Sequence, residues 1–462
     1  MTSPLIEALT SALGDEQIIV APKEIESALR DNSWLSPLLA QHIRELKTTT
    51  GKTLQVDAVV IPNSIEQLKR VIALAVRHNV PMLVRGGGTS NFGQTIPLHG
   101  GIIIDIRRLT GIIDIGNDRI TVAAGTIQGD VDAAARARGL ELPILTTTYA
   151  SATAAGWVAG GHVGLGANTY GTIWDGNILG VKLLTAEDPP REITLTGDDV
   201  LPVLHTYGTT GVIIEVTFRL VPAHRWVEAV GVFDDFSSAV RFTAALADQD
   251  DIHQRVVAAQ DAAISRGFTP LRDLFAEGQS LVLMIVDAER VGRCRELTVQ
   301  HGGRFVPWKT PEDADRISIG LMVYGHRMLW IKKLTPQSAF LHVYFSPDRY
   351  AEQLQALANA FGSGLWLEFK YIRSRWLRAL RGLQGDGNLP AAVLTLVPGD
   401  GDTLHALMDF CKQIGVSYQN PHTFLLEESG LFPDFAPILS FKRRVDPKNL
   451  LNPGKIGQGV RA

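Results

Sequence analysis

Three consecutive glycines, Gly86, Gly87 and Gly88, follow directly on the apolar run Val80–Val84 and Arg85. Glycine loses more conformational freedom on folding than any other residue, so such a run needs either positive φ or an approach that a Cβ would block. Successive amides in a loop of this kind form a concave nest for phosphate oxygens, and Thr89, Ser90 and Asn91 add side-chain donors. A bound pyrophosphate is the chemistry this suits. A second stretch, residues 151–171, concentrates small residues and includes Thr153, Gly156, Gly160 and Gly161. Small residues let a large flat ligand lie against backbone. With Gly125 and Gly211 beside further apolar strands, the two regions together point to a dinucleotide.

Other common nucleotide and hydrolase signatures are missing. No G-x-G-x-x-G occurs at either glycine cluster, and Gly51-Lys52-Thr53 lacks the upstream glycine of a Walker loop. There is no H-E-x-x-H and no G-x-S-x-G, so zinc peptidases and serine hydrolases have no anchor. A net charge of -4 without a dense Lys/Arg tract argues against nucleic acid as a partner. The only cysteines, Cys294 and Cys411, lie far apart and read as small buried hydrophobes with no disulfide or catalytic role. The N-terminus shows no basic region leading into an apolar core, and no stretch is long enough to span a bilayer, so a soluble cytoplasmic protein is expected.

The elements that must position these loops follow from periodicity. At 462 residues, 45% hydrophobic, the chain is long enough for two or three packed domains. Residues 1–50 read as a helical leader without chemistry. Val59-Val60-Ile61 is a short strand, Ser64 with Gln67 fits a capping box, and Ile65, Leu68, Ile72 and Ala75 mark one face of a helix. Strands follow at Val80–Val84, Ile102–Asp105 and Ile120–Ala123, then a helix from Gln128 that ends at Gly139. Residues 213–220 alternate as a half-buried strand, closed by Val221-Pro222. Beyond it come longer strands, Leu281–Val286 and Phe340–Phe345, and helices at Ala351–Phe361 and Thr403–Ile414. The expectation is an α+β protein: a cofactor domain over 51–225, an antiparallel-sheet α+β cap or substrate domain over 226–440, and a segment over 441–462 that closes on the first.

Read together, Val84-Arg-Gly-Gly-Gly-Thr-Ser90, Ala124-Gly125, the span from Ala155-Gly156 to Tyr170-Gly171, Tyr207–Thr217 and Leu451-Asn-Pro-Gly-Lys455 resemble a known pattern. It is that of the FAD-binding (PCMH-type) domain of the superfamily that includes vanillyl-alcohol oxidase, glycolate oxidase and D-lactate dehydrogenase. The resemblance covers roughly residues 50 to 225 and the last twenty or so. It implies that Arg85, Gly86, Gly87, Gly88, Thr89 and Ser90 cradle the pyrophosphate of FAD. Gly125, Thr153, Gly156, Gly160 and Gly161 would lie along the cofactor, Ile213 would contact the adenosine part, and Asn452 to Lys455 would reach the flavin ring. Where covalent members often carry a histidine, this chain has Thr89, and no cysteine precedes Cys294, so the FAD is expected to be non-covalent. The metal-associated stretch of the D-lactate and glycolate members corresponds to Leu383-Gln-Gly-Asp-Gly-Asn-Leu-Pro390, which lacks both histidines, and no metal is expected.

By the same resemblance the chain is a dehydrogenase or oxidase that takes hydride from a CH–OH group of a small hydroxy acid, alcohol or sugar derivative onto flavin N5. Oxygen, a quinone or a cytochrome would accept the electrons. The alternative is a flavin-binding sensor or subunit without turnover. Lys455 is the candidate for stabilising negative charge on the reduced ring. A base and a carboxylate-binding cation are sought in three clusters: Tyr324, His326 and Arg327; Glu368 with Lys370; and Tyr418, Asn420 and His422. Each cluster is read as an extended strand, whose alternate residues share a face.

Overall fold

The computed structural model describes residues 4–50, 54–313 and 315–457. The chain forms two compact units. The first takes the chain up to His162, Gly176–Pro222 and everything from His422 onward; the second takes Val163–Asp175 and Ala223–Pro421.

In the first unit a four-stranded sheet has the order Ile18–Ile19, Val56–Val60, Gly101–Asp105, Met82–Arg85, the last three parallel. Parallel strands need a crossover, and the helix Ile65–Arg77 supplies the one from Val56–Val60 to Met82–Arg85, which flank Gly101–Asp105. Its Ser64 hydroxyl accepts from the Gln67 amide at 3.2 Å, while the Gln67 side chain reaches back to the Asn63 amide at 2.7 Å. Leu68, Val71, Ile72 and Ala75 are wholly buried on its inner face. The C-terminal segment docks on the outer edge of this sheet, where Met82 donates to the Leu450 carbonyl at 2.7 Å and Asn452 donates to that of Met82 at 2.8 Å. An antiparallel five-stranded sheet follows, ordered Ile112–Ile115, Arg119–Ala123, Val212–Arg219, Ile178–Leu184, Glu192–Thr196.

The second unit is built on one eight-stranded antiparallel sheet, in the order Arg304–Lys309, Trp226–Phe233, Ser280–Asp287, Gln254–Gln260, Leu365–Arg373, Asn388–Leu396, Ala339–Tyr344, Ser417–Gln419. Its central strands are near-continuous apolar runs; all eight residues of Ser280–Asp287 are buried. The helix Phe236–Ala247 packs across Gln254–Gln260 and Leu365–Arg373.

Two expectations about local structure are corrected. Tyr324–Arg327 is the first turn of the helix Tyr324–Leu334, not a strand. The aromatic and histidine content of four residues suggests a strand, but Met328 to Leu334 continue as good helix formers, and the segment adopts the longer pattern. In Tyr418–His422 the strand stops at Gln419, because Pro421 restricts Asn420 and has no amide to give a ladder.

Candidate functional site

One cavity of the first unit, enclosing roughly 700 Å³ including space open to solvent, is walled by loops from three parts of the chain. The first wall is the turn after Met82–Arg85: Gly86, Gly87, Gly88, Thr89, Ser90, Gln94 and Thr95 all line it. The three glycines are required for different reasons. A Cβ on Gly86 would meet the Thr153 hydroxyl at 2.1 Å, and one on Gly87 would meet the Ser151 carbonyl oxygen at 1.9 Å. Gly88 has φ +64°, and its Cβ would strike the Arg85 guanidinium.

The second wall is the start and inner side of the helix Ala154–Gly160, through Thr153, Gly156, Ala159 and Gly160. Thr153 caps this helix, its hydroxyl accepting from the Gly156 amide at 3.2 Å. Backbone bonds from Ala154 to Thr126 (2.8 Å) and Ala155 to Ala124 (3.0 Å) fix it to the neighbouring chain. Gly125 does not line the cavity; it allows close packing, since a Cβ there would lie 2.2 Å from the Ile106 carbonyl oxygen. Gly161 also lies outside the lining, with Trp157 covering its face. The third wall is Tyr207, Gly208, Gly211 and Ile213, leading into the strand Val212–Arg219.

Asn452 and Lys455 lie behind these walls rather than in them. The Asn452 side-chain amide donates to the carbonyls of Gln94 at 3.1 Å and Tyr207 at 2.8 Å, so one residue ties the first wall to the third. Lys455 is fully buried, donates to the Gly93 carbonyl at 2.7 Å and sits 4.2 Å from the centre of the Phe424 ring. Burial holds its pKa well below the usual lysine value, with the charge of Asp31 acting in the opposite direction. Arg85 turns its guanidinium to the Arg30 carbonyl instead of into the cavity. His205, whose Nδ1 meets the Gly161 carbonyl at 3.0 Å, is pushed down to about 4 by burial and is therefore neutral near pH 7.

The remaining candidates separate. His422 is buried in the first unit, two residues before Phe424. Tyr324, His326, Arg327 and Glu368 belong to the second. There Glu368 accepts from Lys370 at 2.7 Å and from Gln260 at 3.0 Å and lies 3.4 Å from Arg327, all within the core. Burial opposes ionisation of Glu368, but Lys370 and Arg327 together hold its carboxyl below the usual range. Lys370 also covers the Tyr324 ring at 4.2 Å, and the Tyr324 hydroxyl donates to Asn168 at 3.1 Å. In the Leu383–Pro390 stretch, Arg378 donates to the Gln384 carbonyl at 2.7 Å. Among the described residues no three His, Cys, Asp or Glu side chains converge as a metal site. Cys294 and Cys411 are buried and unbridged, and burial pushes both thiols up to about 12.

This cradle suits a pyrophosphate cofactor: three successive glycines line it at positions where a Cβ would collide with neighbouring atoms, so backbone without side chains forms that part of its surface. Residues 56–188 match the family described as FAD binding domain. The chain carries a PCMH-type FAD-binding domain. A probable mitochondrial D-lactate dehydrogenase of Danio rerio is 23% identical over 98% of this chain and 91% of that one. An uncharacterized oxidoreductase of the fasciation locus of Rhodococcoides fascians is 29% identical, over 37% of this chain and only 38% of that protein. Among solved structures, an alkyldihydroxyacetonephosphate synthase superposes with a TM-score of 0.68 at 15% identity, covering 97% of this chain and 84% of that one, a likeness of fold. The chain is thus similar to FAD-dependent oxidoreductases, with residues 56–188 carrying the FAD binding domain.

Gln94 and Thr95 also line the cavity and were not singled out from the sequence, while Ala159 and Tyr207 lay within the quoted motifs without an assigned role. Gln94 and Thr95 carried a usable signal, being polar residues in the same turn as Ser90. The contribution of the leader, through Arg30 and Asp31, had none.

Proposed function

We propose that this chain oxidises the CH–OH carbon of a small 2-hydroxy acid, alcohol or sugar derivative, using non-covalent FAD. The observation that carries the reading is the convergence of the triple-glycine turn and the Ala154–Gly160 helix on one cavity. Alignment along nearly the whole chain with a relative named D-lactate dehydrogenase favours a hydroxy acid. When bound, FAD supplies the hydride acceptor. In this reading Gly86 to Ser90 would hold the pyrophosphate, and Thr153, Gly156 and Gly160 would lie along the cofactor. Lys455, already fixed on the Gly93 carbonyl, stabilises negative charge at the ring without reorganising. His422 is the base we assign for the hydroxyl proton, because it shares a unit with the cavity and a short segment with Phe424. His326 is the second candidate base. Arg327, Glu368 and Tyr324 act through one buried network that shapes the second unit. Non-covalent attachment is supported by Thr89 after the glycines and by the burial of both cysteines in the second unit. Unpaired thiols also fit a cytoplasmic location.

The test is an absorption spectrum of purified protein, acid precipitation, and anaerobic mixing with a panel of 2-hydroxy acids, alcohols and sugars. Flavin released intact into the acid supernatant, and bleached in the holoenzyme by a panel member, is the expected result. Reoxidation by oxygen, a quinone analogue or cytochrome c then names the acceptor. Flavin that no panel member bleaches favours binding without turnover, and a protein that takes up no added FAD overturns the reading.

A further inference from the structure

The glycine turn is held from outside the matched family segment. That match begins at residue 56, yet the stretch Arg30–Trp34 touches the turn at six points, one of them a bond from Ser33 Oγ to the Ser90 carbonyl at 3.4 Å. The Asp31 carboxylate oxygen Oδ2 accepts from Ser90 Oγ at 2.6 Å, Thr95 Oγ1 at 2.5 Å and Ser33 Oγ at 3.0 Å, and Oδ1 accepts from the Ser33 amide at 2.7 Å. Ser33 Oγ accepts from the Gly93 amide at 2.7 Å, Trp34 donates to the Asn91 carbonyl at 3.3 Å, and Arg85 donates to that of Arg30. Ser90 and Thr95 both line the cavity and are drawn to one carboxylate oxygen. A bare carboxylate near a pyrophosphate would repel it. This one is compensated by hydroxyl donors and by the charges of Arg85 and Lys455, both of which it stabilises.

We propose that Asp31 is a positioning residue for the cofactor: through Ser90, Thr95 and Ser33 it fixes the glycine turn in its pyrophosphate-binding shape before FAD arrives. The proposal rests on the FAD reading of the cavity. Its physical content is preorganisation. A turn containing Gly86, Gly87, Gly88 and Gly93 has much conformational freedom to lose, and a turn already ordered loses less of it on binding.

Full-length wild type, Asp31→Ala, Asp31→Asn and the double variant Ser90→Ala/Thr95→Ala are stripped of flavin. FAD dissociation constants and release rates are then measured by flavin fluorescence, and the apoprotein melting temperature is recorded for each. Asp31→Ala is expected to weaken FAD at least about tenfold, or about 1.4 kcal/mol, mainly through faster release. Asp31→Asn, nearly isosteric, is expected to weaken it several-fold with the apoprotein melting close to wild type. Adding Asp31→Ala to the double variant is expected to cost little more, because the hydroxyls through which it acts are gone. A general role in stability would lower the melting temperature, leave the dissociation constant of the folded protein unchanged and add to the double variant; that outcome overturns the proposal. If wild type binds FAD and both Asp31 variants bind it equally well, the proposal fails while the cofactor reading stands. If wild type binds none, both fall.

Discussion

Replacing Gly87 by alanine tests the cavity most directly, because the obstacle is backbone rather than a side chain that can rotate. The new Cβ would lie 1.9 Å from the Ser151 carbonyl oxygen and 2.9 Å from its carbon. To reach ordinary contact at 3.4 Å, the turn and the 151–153 segment must part by about 1.5 Å. Gly87 and Thr153 both line the cavity where these two segments adjoin, so the displacement acts on the cofactor site itself. Forced overpacking of this kind costs about 1–3 kcal/mol. If that cost falls on the bound geometry, FAD affinity drops by roughly 5- to 150-fold. Gly86→Ala is expected to be milder, since its Cβ meets the Thr153 hydroxyl, which can rotate away at the cost of the helix cap, about 1 kcal/mol. Gly292→Ala is the control: nothing lies within 4 Å of its Cβ, it sits in the helix Val291–Gln300, and it should bind FAD normally with equal or higher stability. The assay is titration of flavin-free protein with FAD, read by fluorescence, alongside thermal melts. A Gly87→Ala protein that melts like wild type and binds FAD within twofold of it would refute the assignment of these two walls to the cofactor.

Three further expectations concern buried groups. Burial depresses the pKa of Lys455 in the folded state, so between that value and 10.5 the unfolded chain binds the proton more tightly and stability rises with pH. Lys455→Met should flatten the rise in the apoprotein's melting temperature as pH approaches 10.5 from below; an unchanged slope would count against a buried amine there. Asp261, which accepts from the Ile264 amide at 2.8 Å and the Leu367 amide at 2.5 Å, is pushed up to about 6, chiefly by burial. The folded state therefore holds the proton more tightly, and stability falls as pH rises from about 3.8 to about 6. Asp261→Asn should lose that decline when melts are compared across this range. Finally, Cys294 and Cys411 should both resist a thiol reagent such as DTNB in the native protein at pH 8 and both react in denaturant; rapid native labelling would contradict their burial.

The α+β architecture and its main elements were legible because local pattern and tertiary demand agree. The capping box at Ser64, the apolar strand running into Gly86 and the alternation in Val212–Arg219 each state their structure within a few residues. Tyr324–Arg327 was misread because a window of four residues carries too little pattern to decide between helix and strand. Glycine content likewise marked the two cavity walls, since a residue so costly to order is rarely found three in a row without a geometric need.

What the sequence determined by itself was therefore chemistry with a local signature: a phosphate-nesting turn, a small-residue helix and the cofactor class they imply. What only the tertiary structure decided was which distant groups complete the site. Asp31 reaches Thr95 across 64 positions, Asn452 joins the carbonyls of Gln94 and Tyr207, and Lys455 ends on Gly93 at a separation of 362. Hydrogen bonds of this kind depend on where the backbone carries each donor and acceptor. No periodicity in the chain encodes that; it appears only once the sheet edge at Met82 has been paired with Leu451 and the leader has been laid against the turn.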